Sequence, residues 1–248
     1  MKIAIMQPTY LPWVGYFDLI DQVDHFVFLD DVQLTKRSWQ VRNRIKTPQG
    51  EFYLSVPVEK APRDTLLHQA KVKNALGWRV RHLQNIEQHY RKADHYAEVA
   101  PQLKEALSLS NDSLADSNIH LIETLAKMLN LGTQFSRSST LRSNPASKGD
   151  GLIELCQLVG ATAYFSPLGS AGYLEGEGSS DDFAQAGIEL TYQHYAPASY
   201  RQLHGEFIPY LSVVDLLLNE GSSTAHQVVQ AGAKEPLTPA QVRARLAL

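Results

Sequence analysis

Cysteine is almost missing from this chain: Cys156 is the only one in 248 residues. A single thiol excludes a disulfide framework and a zinc cluster of thiolates, and it suits a reducing cytosol. A basic excess is missing too. The net charge is −3 and the pI about 6.3, whereas dedicated nucleic-acid binders carry a surplus of Lys and Arg. No apolar run approaches the about 18 residues of a membrane span. The run Met1-Lys2-Ile3-Ala4-Ile5-Met6 stops at Gln7-Pro8, too short for a signal-peptide core. There is no Gly-x-Ser-x-Gly nucleophile elbow and no Gly-rich phosphate fingerprint. The nine histidines form no convincing His-x-x-x-His metal pair; His82 and His89 are seven apart, and a surface location suits them. Cys156 sits on an apolar helical stripe, where a thiol is a core residue rather than a nucleophile. These absences leave a cytoplasmic protein, with no metal site, nucleic-acid partner or membrane span expected, and with the cofactor unspecified.

What is present is an ordinary globular composition, 44% hydrophobic and 20% charged. Lys2 to Gln7 reads as a buried strand, Phe17 to Val23 as a helix, and His25 to Asp30 as a second strand, which is a βαβ unit with parallel pairing. Trp39, Val41, Asn43 and Ile45 then alternate with Gln40, Arg42, Arg44 and Lys46. The turn Thr47-Pro48-Gln49-Gly50 leads into a second alternating run, so a β-hairpin is expected. One helix starts near Trp78. Another runs from Ser113 to Leu131, with Ser113 and Asp116 as a capping box and Gly132 past its end. Strands at 133–138, 161–166 and 188–194 alternate with helices ended by Gly160, Gly187 and Gly221. The expected fold is α/β: a mostly parallel sheet flanked by helices, with an inserted hairpin and a helical segment at about 75–131. Residues 1–221 make one domain, and 222–248 a peripheral helical tail.

Ligands of parallel sheets bind outside the carboxyl ends of the strands. After the first strand come Gln7, Tyr10, Trp13, Gly15 and Tyr16, leading into a helix N-terminus that favours an anion. Gly15 admits close approach of a ligand to the backbone; the competing reading is that Trp13 and Tyr16 staple the helix to the sheet. After the second strand come Asp30 and Asp31, of which one must face away, followed by Lys36 and Arg37. Alternation puts Arg42, Arg44 and Lys46 on one hairpin face, a cationic surface for phosphate or carboxylate unless it is merely a solvated edge. Later strands end near Ser139, Lys148, Ser166 and Tyr173. Asp215 lies inside an apolar helix, where a carboxylate needs a partner or a function. Asp30 and Asp215 are therefore the candidate bases.

The segment from Met6 to Phe17, with Gln7-Pro8-Thr9-Tyr10 and Pro12-Trp13-Val14-Gly15-Tyr16, resembles the signature of the WbqC-like protein family. So do Asp30-Asp31-Val32-Gln33, Lys36 to Gln40 with Trp39, Arg42-Asn43-Arg44-Ile45-Lys46, and Phe207 to Gly221 with Ser212, Asp215 and Asn219. The resemblance spans nearly the whole chain. It implies a bacterial protein associated with O-antigen and other surface-glycan biosynthesis. The Pro-containing loop also resembles, at the level of fold, nucleotidylyltransferases and pantothenate-synthetase-like ligases. Their His-x-Gly-His motif is replaced here by Trp13-Val14-Gly15-Tyr16. Together these readings predict a transferase acting on an activated sugar or glycan precursor, in one form by acyl or aminoacyl transfer to an amino sugar. Its small-molecule partner is a sugar, nucleotide or acyl donor, Tyr10 and Trp13 stack on a ring, and oligomerisation is open. The alternatives are an adenylate-forming ligase or nucleotidyltransferase, and a non-catalytic binding protein or scaffold.

Overall fold

The computed structural model describes residues 1–109, 112–143, 148–176 and 178–247, with Lys148 described by its backbone alone. Five strands form one parallel sheet: β1 (Lys2–Met6), β2 (His25–Phe28), β5 (Gln134–Arg137), β6 (Ala163–Ser166) and β7 (Glu189–Tyr192). Their spatial order is β5-β2-β1-β6-β7. Counted in order of appearance this is 3-2-1-4-5, a doubly wound sheet whose order reverses between β1 and β6. The remaining strands, β3 (Arg42–Thr47) and β4 (Gly50–Ser55), form the antiparallel hairpin, closed by the expected turn. The α/β architecture with a parallel sheet, flanking helices and a separate hairpin is thus the one the sequence pattern implies.

The central strands are apolar on both faces because both faces are covered. With period two, Ala4, Phe26 and Phe28 point into the larger apolar layer, with Phe17, Leu217 and the helical segment. Ile3, Ile5 and Val27 point into the other layer, with Leu155, Phe183 and Val242. The larger layer is built by α1 (Val14–Asp21), α2 (Trp78–Tyr90), α3 (Tyr96–Ser108), α4 (Leu114–Met128) and α9 (Val213–Ala231). The opposite layer draws on α6 (Lys148–Leu158), α7 (Ala171–Gly176), α8 (Ser179–Gln185) and α10 (Pro239–Leu246). A single turn, α5 (Ser138–Leu141), follows β5 directly.

Two elements differ from expectation. Helix α3 fills what the hydrophobic periodicity leaves as a gap between two helices, with Pro101 inside it. Ser138 to Leu141 is helical rather than loop. Gly221 ends a helix as the sequence implies: at φ 71° its backbone is non-helical and a second helical stretch starts directly after it, so α9 is two helices joined across a bend. A Cβ there would stand 2.4 Å from Nδ1 of His95, so glycine is required by the close approach as well as by the backbone. The bend frees the Leu218 carbonyl, which accepts the His95 N–H at 3.1 Å. Among the described residues no helix is long and apolar enough to cross a membrane.

Candidate functional site

At the reversal of strand order, the carboxyl ends of β1 and β6 border a cleft of about 630 Å³. A lobe of about 270 Å³ opens from it and shares Trp13, Trp39 and Tyr210 with it. The loop between β1 and α1 supplies Gln7, Thr9, Trp13, Gly15 and Tyr16 to the wall. The stretch before the hairpin supplies Trp39 and Gln40; β6 and the turn after it supply Tyr164 and residues 167–170; Tyr173, Gln193, Tyr195 and Tyr210 also line it. Seven of these side chains are aromatic: Trp13, Tyr16, Trp39, Tyr164, Tyr173, Tyr195 and Tyr210. No carboxylate, histidine, lysine or cysteine is among the described lining residues, and Arg44 in the lobe is its one charged group.

The loop is fixed by its own backbone and by distant chain. Val213 donates to the Pro12 carbonyl at 2.8 Å, which fastens the loop to the start of α9. Trp13 caps α1, and its ring lies against Tyr195 (centres 5.6 Å apart) and Tyr210 (5.4 Å). The Tyr16 hydroxyl donates to the Gln7 carbonyl at 3.1 Å, and Gln40 Nε2 donates to Gln7 Oε1 at 2.7 Å. Gln193 Nε2 donates both to the Gly15 carbonyl at 2.7 Å and to Asp18 at 2.6 Å. The space a side chain at Gly15 would need is taken by the Trp13 ring: an added Cβ would meet Cη2 at 2.1 Å. Burial pushes the Tyr195 phenol up, and its buried oxygen has no hydrogen-bond partner among the described residues.

Of the residues singled out in the sequence, Gln7, Trp13, Gly15, Tyr16, Trp39 and Tyr173 meet in the cleft, and Asn43 and Arg44 in its lobe. Tyr10 does not. It is fully buried, with its hydroxyl 2.7 Å from Nδ1 of His82, so it cannot stack on a bound ring. His82 is correspondingly buried rather than superficial, and burial lowers its pKa to about 4. Burial pushes the Cys156 thiol up to about 12, which leaves it inert at neutral pH.

The two candidate bases are enclosed. Asp215 has no exposure; it accepts from the Tyr90 hydroxyl at 2.6 Å and from Tyr200 at 2.7 Å. Burial raises its pKa, while the two phenols and Lys46 oppose the rise. Asp30 is equally buried and accepts from the Ser139 hydroxyl and backbone N–H and from Ser138. Asp31 does not face away from it. Its carboxylate meets the same Ser138 hydroxyl at 2.6 Å and the Arg142 Nε at 2.8 Å. Asp30, Asp31, Ser138, Ser139 and Arg142 form a clasp between β2 and the end of β5. Neither Asp30 nor Asp215 lines the cleft, so neither meets a substrate there.

The expected cationic face is also divided. Lys46 is buried, and its ammonium donates to the carbonyls of Gly205 and Glu206. Arg44 pairs with Glu51 at 2.7 Å and donates to the Tyr210 carbonyl at 3.1 Å. Arg42 remains half-buried over Tyr53. Lys36 and Arg37 are exposed outside the cleft, and Ser166 is fully buried. Lys148 opens α6, with its side chain and Ser147 outside the described residues. The sequence reading missed Tyr164, Gln193 and Tyr210. Gln193 follows a strand end and Tyr210 precedes the last long helix, so position relative to the strand ends was the available signal.

The sequence profile of the WbqC-like protein family matches residues 7–227. The chain is 36% identical over 227 residues to uncharacterized protein Rv1507c of Mycobacterium tuberculosis (strain ATCC 25618 / H37Rv), covering 89% of this chain and 94% of the relative. No solved structure matches it. With the profile matched from the Gln7 loop through the bend in α9, the chain belongs to the WbqC-like protein family.

Proposed function

We propose that the protein is a cytoplasmic transferase that takes an activated sugar or related glycan precursor into this cleft, in bacterial surface polysaccharide biosynthesis. The observation that carries the reading is the aromatic lining at the reversal of strand order. The volume is that of a small-molecule site, and this position is where doubly wound sheets hold their ligands. Aromatic faces suit the flat face of a sugar or a nucleobase. Gln7 and Gln193 offer neutral hydrogen-bonding groups, and Arg44 offers a charge for a phosphate or carboxylate in the lobe.

Among the described residues the lining holds no carboxylate, histidine, lysine or cysteine, which favours direct transfer between two bound substrates, with the protein supplying orientation. Acyl or aminoacyl transfer to an amino sugar fits this, because the amine brings its own nucleophile and the donor its own leaving group. A second reading, nucleotidyl transfer or adenylation, is favoured by the strand order, since its crevice accepts nucleotides in doubly wound sheets generally.

Thermal unfolding with UDP-N-acetylglucosamine, acetyl-CoA, ATP and CTP, with and without magnesium, separates these. A ligand at 100 times its dissociation constant adds about 2.7 kcal/mol of stability. The expected result is stabilisation by the sugar nucleotide or acyl donor, lost in Trp13→Ala. Stabilisation by ATP or CTP alone selects the second reading. No response to any of the four removes both.

A further inference from the structure

Among the described residues five large aromatics are more than a third exposed: Trp39, Phe52, Tyr53, Tyr173 and Tyr210. Three of them line the cleft, and Tyr53 stacks on one of those three. Exposed aromatic surface gathered in one place marks a binding region rather than the usual scatter. On the hairpin it takes a definite form. The Arg42 guanidinium carbon is 4.7 Å from the centre of the Tyr53 ring. Tyr53 stacks on Trp39, with centres 6.4 Å apart and planes 24° apart. The Arg44 guanidinium carbon is 5.3 Å from the Trp39 ring. Register explains the assembly, because Arg44 and Tyr53 are direct cross-strand partners and Arg42 lies two residues along the same face. The stack starts on the open hairpin and ends at Trp39 in the cleft wall.

The two arginines differ. Arg44 is held by Glu51 and the Tyr210 carbonyl. Arg42 has no hydrogen-bonded or ion-paired acceptor for its guanidinium among the described residues; the guanidinium lies over the Tyr53 ring. It therefore presents a planar fork of donors beside two aromatic faces. A solvated edge would need the charge but not the aromatics. Flat faces next to an unpaired guanidinium suit a saccharide that carries an anionic group.

We propose that this stack is a second subsite, which takes a sugar unit adjoining the one in the cleft and binds that unit's carboxylate or phosphate at Arg42. The substrate on this side is then an acidic oligosaccharide rather than a single sugar. The inference rests on the sugar reading of the cleft and has its own readout.

The three tryptophans supply it. Trp13 reports the cleft, Trp39 the junction with the stack, and the buried Trp78 is an internal reference. Indole ¹⁵N–¹H spectra are recorded during titration with a hyaluronan tetrasaccharide, which carries carboxylates, and with the neutral chitotetraose. The expected result is a shift of Trp39 with the acidic tetrasaccharide, weakened about tenfold in Arg42→Ala and in Tyr53→Ala, with chitotetraose about tenfold weaker on the intact protein. Equal binding of the two sugars, an Arg42→Ala variant with unchanged affinity, or an unmoved Trp39 overturns the subsite. UDP-N-acetylglucosamine is titrated in parallel. If it leaves Trp13 unmoved while the acidic sugar moves Trp39, the cleft reading fails and the subsite stands.

Discussion

The ring of Trp13 occupies the space that a side chain on residue 15 would need: a Cβ there would lie 2.1 Å from Cη2 of the indole. Gly15→Ala therefore acts through Trp13. The added methyl must expel the ring from its seat between Tyr195 and Tyr210, at an overpacking cost of about 1–3 kcal/mol. The expected outcome is a folded protein with altered tryptophan fluorescence and lost binding of whichever ligand stabilises the wild type. Unchanged affinity in Gly15→Ala would contradict the role given to the indole.

His82 makes stability depend on pH. Its ring is buried beside the Tyr10 hydroxyl, and burial lowers its pKa from 6.5 to about 4. The unfolded chain takes up this proton first as pH falls, so the neutral ring's contribution is complete above 6.5 and lost as pH falls to 4. The difference corresponds to about 3 kcal/mol over that window. Urea denaturation at pH 7 and pH 4.5 checks it: His82→Gln, which cannot titrate, should lose less stability between the two values than the wild type.

Arg142 and Asp31 are both almost fully enclosed, with side-chain exposures of 5% and 4%. Arg142→Ala leaves the Asp31 carboxylate buried with the Ser138 hydroxyl as its hydrogen-bond donor, and should cost about 3–5 kcal/mol. Chemical denaturation measures this. Because the clasp lies outside the cleft, ligand affinity of the folded fraction should be unchanged.

Tyr210 sits at the cleft mouth with φ 62°, a conformation that favours glycine, and its side chain is 49% exposed. Tyr210→Gly relieves backbone strain but removes the ring that packs on Trp13. The melting temperature should hold or rise, while cleft affinity falls by about fivefold, the worth of one aromatic pair. A parallel fall of both would mean that Tyr210 is simply structural.

Much of the fold was legible because it follows from periodicity. Runs such as Ile3-Ala4-Ile5 and Phe26-Val27-Phe28 are apolar on both faces only if both are covered. The cleft was legible in part, since Gln7 and Trp13 follow the end of β1, where ligands of parallel sheets gather. The exceptions share a cause. Tyr10, Lys46 and Asp31 carry polar atoms that point to a surface when read locally. Each is buried because a partner far along the chain satisfies it: His82 for Tyr10, the Gly205 carbonyl for Lys46, and Arg142 for Asp31. No local pattern encodes such pairings.

The strand order has a consequence for synthesis. β1 is central, yet one of its two neighbours is β6, with Lys2 paired to Ala163. While the ribosome makes the intervening chain, on the order of ten to thirty seconds at ordinary elongation rates, that edge of β1 has no native partner. The nascent protein thus carries an unpaired apolar strand edge for most of its translation, and chaperones that shield such edges should govern how much of it reaches the folded state.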